Sequence, residues 1–105
     1  MDIQAYEDFL QLIDSMPIEN MFFLYEIENE KGDKAVKSAI DEAKELGSFG
    51  ERRIALENLL DNLIEVGLFL LSEQIHLADK AFGSQKNKNE QILIDYYQKH
   101  LIISN

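Results

Sequence analysis

The sequence predicts an all-α fold, a compact single-domain bundle of about five to six helices over residues 1–105, and three observations carry that prediction. Apolar residues recur at spacings of three and four, the period of a helix face, rather than the two of a strand. Gly32, Gly47, Gly67 and Gly83 each follow such a stretch, where a left-handed residue would close a helix. No heptad register persists long enough for a coiled coil, and no repeat appears at solenoid periods. With 105 residues, 46% of them hydrophobic, the chain has the material for one core without disulfide or metal staples.

Taken in order, residues 2–15 form a first helix with Ile3, Tyr6, Phe9, Leu10 and Ile13 on one face. Pro17 suits a first helical turn and opens a second helix, which turns Ile18, Met21, Phe22, Leu24 and Tyr25 inward and ends at Gly32. A third starts at the N-cap candidate Asp33, keeps Val36, Ala39, Ile40 and Ala43 inside and ends near Leu46. The fourth is the most strongly patterned: Ile54, Leu56, Leu59, Leu60, Leu63 and Ile64 give a broad stripe ending at Gly67, as expected of a central helix. Ser72 caps a fifth carrying Ile75, Leu77, Ala78 and Phe82, and Asn87 or Asn89 starts a last one through Ile92, Leu93, Tyr96, Tyr97 and Leu101. The polar run 84–89 is too short for an interdomain linker.

Charge bounds the function. Twenty Asp and Glu against ten Lys and Arg leave a net charge of −10, unsuited to nucleic acid or an anionic membrane surface, both of which select for cations. A basic protein is the natural complement. The charge is also uneven, since residues 1–30 hold eight acids and no Lys or Arg, whereas residues 80–105 hold four lysines against two acids. The N-terminal Met1-Asp2-Ile3-Gln4 has no basic leader, and the longest apolar run, residues 66–71, falls far short of the roughly 20 residues that span a bilayer. A soluble, cytoplasmic protein is expected, and the absence of cysteine fits a reducing compartment.

Catalytic equipment is not visible, so no enzyme, metal or cofactor is expected. His76 and His100 lack the spacing of a zinc helix, and no thiolate is present to complete a site. His76 lies three residues before Asp79, which reads as a surface pair. Gly47-Ser48-Phe49-Gly50-Glu51 lacks the Gly-Lys-Ser/Thr ending of a phosphate loop and reads as a helix–helix turn. No serine sits in a nucleophile elbow, and no calcium-binding ladder of acids occurs.

One constellation stands apart. Glu57, Asp61 and Glu65 recur at i, i+4 and i+8 on the fourth helix, with Asn58 and Asn62 beside them. Like charges at that spacing cost a helix about 0.2–0.5 kcal/mol per pair, so something should offset them: solvent, lysines of a neighbouring helix, or the Arg and Lys of a partner. Glu26, Glu28 and Glu30, at the expected end of the second helix, form a second candidate patch.

Residues 50–65, Gly-Glu-Arg-Arg-Ile-Ala-Leu-Glu-Asn-Leu-Leu-Asp-Asn-Leu-Ile-Glu, resemble the bacterial immunity proteins of the Maf and contact-dependent growth inhibition (CDI) toxin systems. The shared pattern is Gly-Glu, two variable residues, Ile-Ala-Leu-Glu-Asn-Leu, a spacer and Leu-x-Glu, then a loop into a serine-capped helix, covering residues 50–82. The resemblance implies an antitoxin that binds the C-terminal toxin domain of a cognate secreted protein and blocks its active site or substrate path. Such toxins are often nucleases, with a ribonuclease, of EndoU-like type, the family habit. Of the matched positions, Gly50, Ala55, Leu56, Leu59 and Leu63 read as helix start and core packing; of the matched polar ones, Glu51, Glu57, Asp61 and Glu65, the first favours the helix start through the dipole, and Glu57, Asp61 and Glu65 are the expected contacts. Two other readings compete: an acidic nucleic-acid mimic that regulates a basic DNA-binding protein, and a carboxylate–histidine enzyme or metal bundle using His76 or His100. Neither the toxin's activity nor a homo-oligomeric state follows from the sequence.

Overall fold

A computed structural model describes residues 1–24 and 27–101, apart from the side chains of Ile18 and Asn29. Its described residues form an all-α bundle of five α-helices: α1 (Ile3–Asp14), α2 (Asn29–Ser48), α3 (Arg52–Val66), α4 (Ser72–Phe82) and α5 (Lys88–Lys99), with a single 3-10 turn at Ile18–Asn20. The Cα radius of gyration is 12.8 Å, the size expected of one domain of this length. None of the described helices is long and apolar enough to cross a membrane.

Two helix pairs build the bundle. Helix α1 begins at Asp2, whose carboxylate accepts the Ala5 N–H at 3.0 Å while its own N–H donates to the Ala81 carbonyl of α4. Ala5, Tyr6, Phe9, Leu10 and Ile13 then bury against the body of the protein, chiefly on α4. Helices α2 and α3 fold back on each other across a three-residue turn, and Lys37 and Lys44 of α2 reach across to Asp14. Helix α3 touches α1, α2 and α5, as expected of the central element. It buries Ala55, Leu56, Leu59, Leu60 and Leu63 completely. It closes on Gly67 at φ 81°, a left-handed residue that leaves Leu68 free to donate back to Leu63. Helix α5 docks on α3 through Tyr97, whose buried hydroxyl donates to the Leu60 carbonyl at 2.6 Å.

The expected second helix is the largest departure. Residues 21–24 instead lie extended along residues 67–69: Leu24 N–H donates to the Gly67 carbonyl at 2.7 Å and Phe69 N–H to the Phe22 carbonyl at 2.8 Å. The side chains therefore alternate, with Met21 buried and Phe22 and Leu24 about half exposed, rather than sharing one helical face. Tyr25, assigned inward from the sequence, and the tail 102–105 fall outside the described residues.

Two of the four glycines read as helix ends lie inside α2. At Gly32 an added Cβ would stand 2.8 Å from the Phe23 ring, and at Gly47 2.8 Å from the Tyr6 hydroxyl. These positions are small because an aromatic side chain presses on the helix backbone. Helix α2 accordingly starts at Asn29, with Glu28 in the N-cap position, four residues before the anticipated Asp33. Ser72 is the first residue of α4 and not its cap; the Leu71 N–H is met by the buried Gln74 side chain at 2.8 Å. Ile3, Ile54 and Ile92, assigned to the core from the sequence, are 47%, 49% and 54% exposed, Ile3 at the edge of its helix's buried stripe and Ile54 and Ile92 on the side turned away from it.

Candidate functional site

The carboxylates Glu57, Asp61 and Glu65 lie on the outward side of α3, Glu57 half-buried and the other two exposed. None of the ion pairs among the described residues includes them. Lysines of the neighbouring α2 are turned instead to Asp14, whose carboxyl is held below the ordinary range first by the Lys44 hydrogen bond and then, against the cost of burial, by Lys37. Arg53, one turn before Glu57, is directed at Glu90 of α5, with Nε 2.6 Å from Oε2 and Nη2 2.7 Å from Oε1. Glu57 feels Arg53 only through its field, as a secondary contribution to the raised guanidinium pKa after the Glu90 hydrogen bond.

The ridge borders a cleft. Glu57, Asn58 and Asp61 of α3 face Asn89, Ile92 and Leu93 of α5 across a volume of about 250 Å³. Asp61 also reaches the interior electrostatically, adding to the upward shift that burial imposes on the Tyr97 phenol. Asn58 lines the cleft, whereas Asn62 points the other way and donates to Glu42 of α2 at 3.3 Å, so the two asparagines expected beside the ridge are split between its sides. The half-exposed Ile54 continues the Asn58 stripe by one helical turn. The face thus has exposed isoleucines and amides among carboxylates, the apolar-within-polar layout of protein interfaces.

Sequence reasoning missed the part played by Ile92. The available signal was its register: Glu90, Leu93, Ile94 and Tyr97 bury at helical spacing, and Ile92 falls outside that stripe. Glu90 was also legible in principle. Asn87 and Glu90 form a capping box, with the Asn87 side chain accepting the Glu90 N–H and the Glu90 side chain accepting the Asn87 N–H, both at 2.8 Å. The same carboxylate then receives Arg53.

The second acidic patch is differently placed than expected. Glu28 and Glu30 stand at the start of α2 and not at a helix end, so the helix dipole favours them and they have a local reason to be acidic. Glu30 lines a shallow depression with Asp14, Asp33 and Lys37. Glu26 lies outside the described residues.

Ser72, His76 and Asp79 share one side of α4 and line a cleft of about 310 Å³ with Gln98 and Leu101. No hydrogen bond joins the three among the described residues, and Asp79 is paired with Lys86 at 2.7 Å. His100 stacks on Tyr96 at 4.4 Å between ring centroids, with its Nδ1 2.8 Å from the Tyr96 carbonyl. The described residues hold no group of three or more potential metal ligands.

Asp61 is flanked at i−4 and i+4 by like charges, so Asp61→Asn is expected to stabilise the fold by about 0.5 kcal/mol. The melting midpoint at low ionic strength should rise by roughly 2–4 °C, with the gain shrinking as salt is added. No change, or a fall, would mean that the three carboxylates do not repel in the folded state.

No protein-family model, curated protein or solved structure matches this chain.

Proposed function

We propose that this protein is an immunity protein, which binds and neutralises the C-terminal toxin domain of a cognate contact-dependent or polymorphic toxin. The observation that carries the reading is the outer face of α3: three carboxylates outside every ion pair of the described residues, beside exposed isoleucines, within the 50–65 segment that resembles such proteins. A nuclease must present cationic surface to its substrate, and a net charge of −10 gives an inhibitor the same sign as the nucleic acid it excludes. The toxin domain is accordingly proposed to be a nuclease, and specifically a ribonuclease, with Glu57, Asp61 and Glu65 meeting its Arg and Lys side chains. Inhibition by surface complementarity needs no catalytic group on this chain.

The test is co-expression with the C-terminal domain encoded by the reading frame immediately upstream. Growth arrest by that domain alone, rescue by this chain and co-purification of the two are the expected results. Arrest that persists with this chain present, or recovery of a DNA-binding protein as the stable partner, would sink the reading, the latter in favour of nucleic-acid mimicry.

A further inference from the structure

We infer that the cleft between α3 and α5 is a slot for a single arginine side chain of a partner protein. The inference rests on the reading of this chain as a binder of a basic protein, and it adds where and how one anchor is held. Carboxylates alone would not distinguish this place from the rest of an acidic surface. What distinguishes it is the combination of walls: Glu57, Asn58 and Asp61 on one side, Asn89, Ile92 and Leu93 on the other, enclosing about 250 Å³.

Each wall matches a different part of the same side chain. Ile92 is 54% exposed and the mostly buried Leu93 follows it on α5, giving an aliphatic surface for the methylene stem. Glu57 and Asp61 offer carboxylate oxygens to the cation, and the side-chain carbonyls of Asn58 and Asn89 offer neutral acceptors. A guanidinium has five N–H donors in a flat fork and can use acceptors on both walls, whereas an ammonium has three donors around one point. Arginine is therefore favoured over lysine. The protein's own nearby guanidinium, that of Arg53, is turned away from this role, with its Nε and Nη2 donating to Glu90 and to the Gln85 carbonyl.

The experiment titrates isotopically labelled full-length protein with a hexa-arginine peptide and, separately, a hexa-lysine peptide, following backbone and Asn side-chain amide signals. Saturable shifts centred on Asn58, Asn89 and Ile92 are expected, with hexa-arginine the tighter ligand and about tenfold weaker binding in Ile92→Lys, which places a cation over the slot. Shifts spread evenly over the acids of α1 and α2, or equal binding by Ile92→Lys, would overturn the slot. Asn58→Lys supplies a second variant at an exposed position should Ile92→Lys melt early. Growth rescue separates this inference from the toxin reading. Peptide binding at the slot without protection removes the toxin and keeps the slot, while undiminished protection and toxin affinity in both variants removes the slot and keeps the toxin.

Discussion

Arg53→Met is expected to destabilise the protein by roughly 3 kcal/mol, because it strands a buried carboxylate. The Glu90 side chain is fully buried and Arg53 is its cationic partner, at 2.6 Å; with Arg53 37% exposed, the lower end of the usual cost of breaking such a pair applies. For a domain of this size the melting midpoint should fall by roughly 15 °C. The double variant Arg53→Met, Glu90→Leu should recover much of that loss, since removing both charges also removes their desolvation. It keeps a residual deficit from the missing capping box.

The pH dependence gives this prediction a second, sign-sensitive check. Burial raises the Glu90 carboxyl, but the Arg53 hydrogen bonds, the Asn87 N–H and the charges of Arg53 and Lys86 outweigh it, and the net shift is downward from 4.5. A depressed folded-state pKa means that this stabilisation is complete above the unfolded value and is lost as pH falls through the folded one. In Arg53→Met the downward influences of Arg53 are gone and burial dominates, so Glu90 should take up a proton in the folded state and the variant should gain stability on acidification. Thermal melts between about pH 3 and 7, with Glu90→Gln as the reference for other acids, read the difference. An identical acid slope in wild type and Arg53→Met would show that the pair contributes nothing to folding.

The second large effect is on binding. On the proposed immunity function, reversal of Glu57, Asp61 and Glu65 to lysine is expected to weaken binding of the toxin domain by about a thousandfold and abolish protection, because like charges juxtaposed across an interface cost several kcal/mol. The fold should survive, since the exchanged charges repel one another much as the originals do and Asp61 and Glu65 are exposed. Circular dichroism and the melting midpoint check that point independently. Titration of the cognate domain at low and physiological salt reads the loss, and the wild-type affinity should fall with salt far more steeply than that of the variant. Full protection by a folded triple variant would move the interface off α3, with Phe22 and Leu24 the next exposed surface to examine.

Much of the candidate site was legible because it lies on one helix. The register of Glu57, Asp61 and Glu65 follows from helical geometry once α3 is recognised, and α3 announces itself by four leucines at helical spacing and a closing glycine. The opposite wall was not legible, since nothing local says that Asn89 and Ile92 of α5 stand across from Glu57. Ile54 and Ile92 were assigned to the core because they are apolar, yet each lies on the side of its helix turned away from the buried stripe and stands half in water, as a stricter reading of the register would have said. The second acidic patch changed sense for a related reason, because Glu28 and Glu30 begin a helix that the sequence seemed to end there.

By itself the sequence determined the helical class, the start of the last helix at Asn87 or Asn89, the helix ends at Gly67 and Gly83, and the surplus of negative charge. All of these depend on a residue and its neighbours within one helical turn. Only the tertiary structure decided that residues 21–24 run extended rather than helical, because their backbone donors and acceptors meet residues 67–69, more than forty positions away. It likewise decided that Gly32 and Gly47 serve the close approach of Phe23 and Tyr6, and that Arg53 is committed to Glu90 and leaves the α3 carboxylates outside any ion pair of the described residues. Those outcomes depend on which surfaces meet in space, and the energy of such meetings overrides local propensity wherever the propensity is worth less than a buried ring or a paired charge.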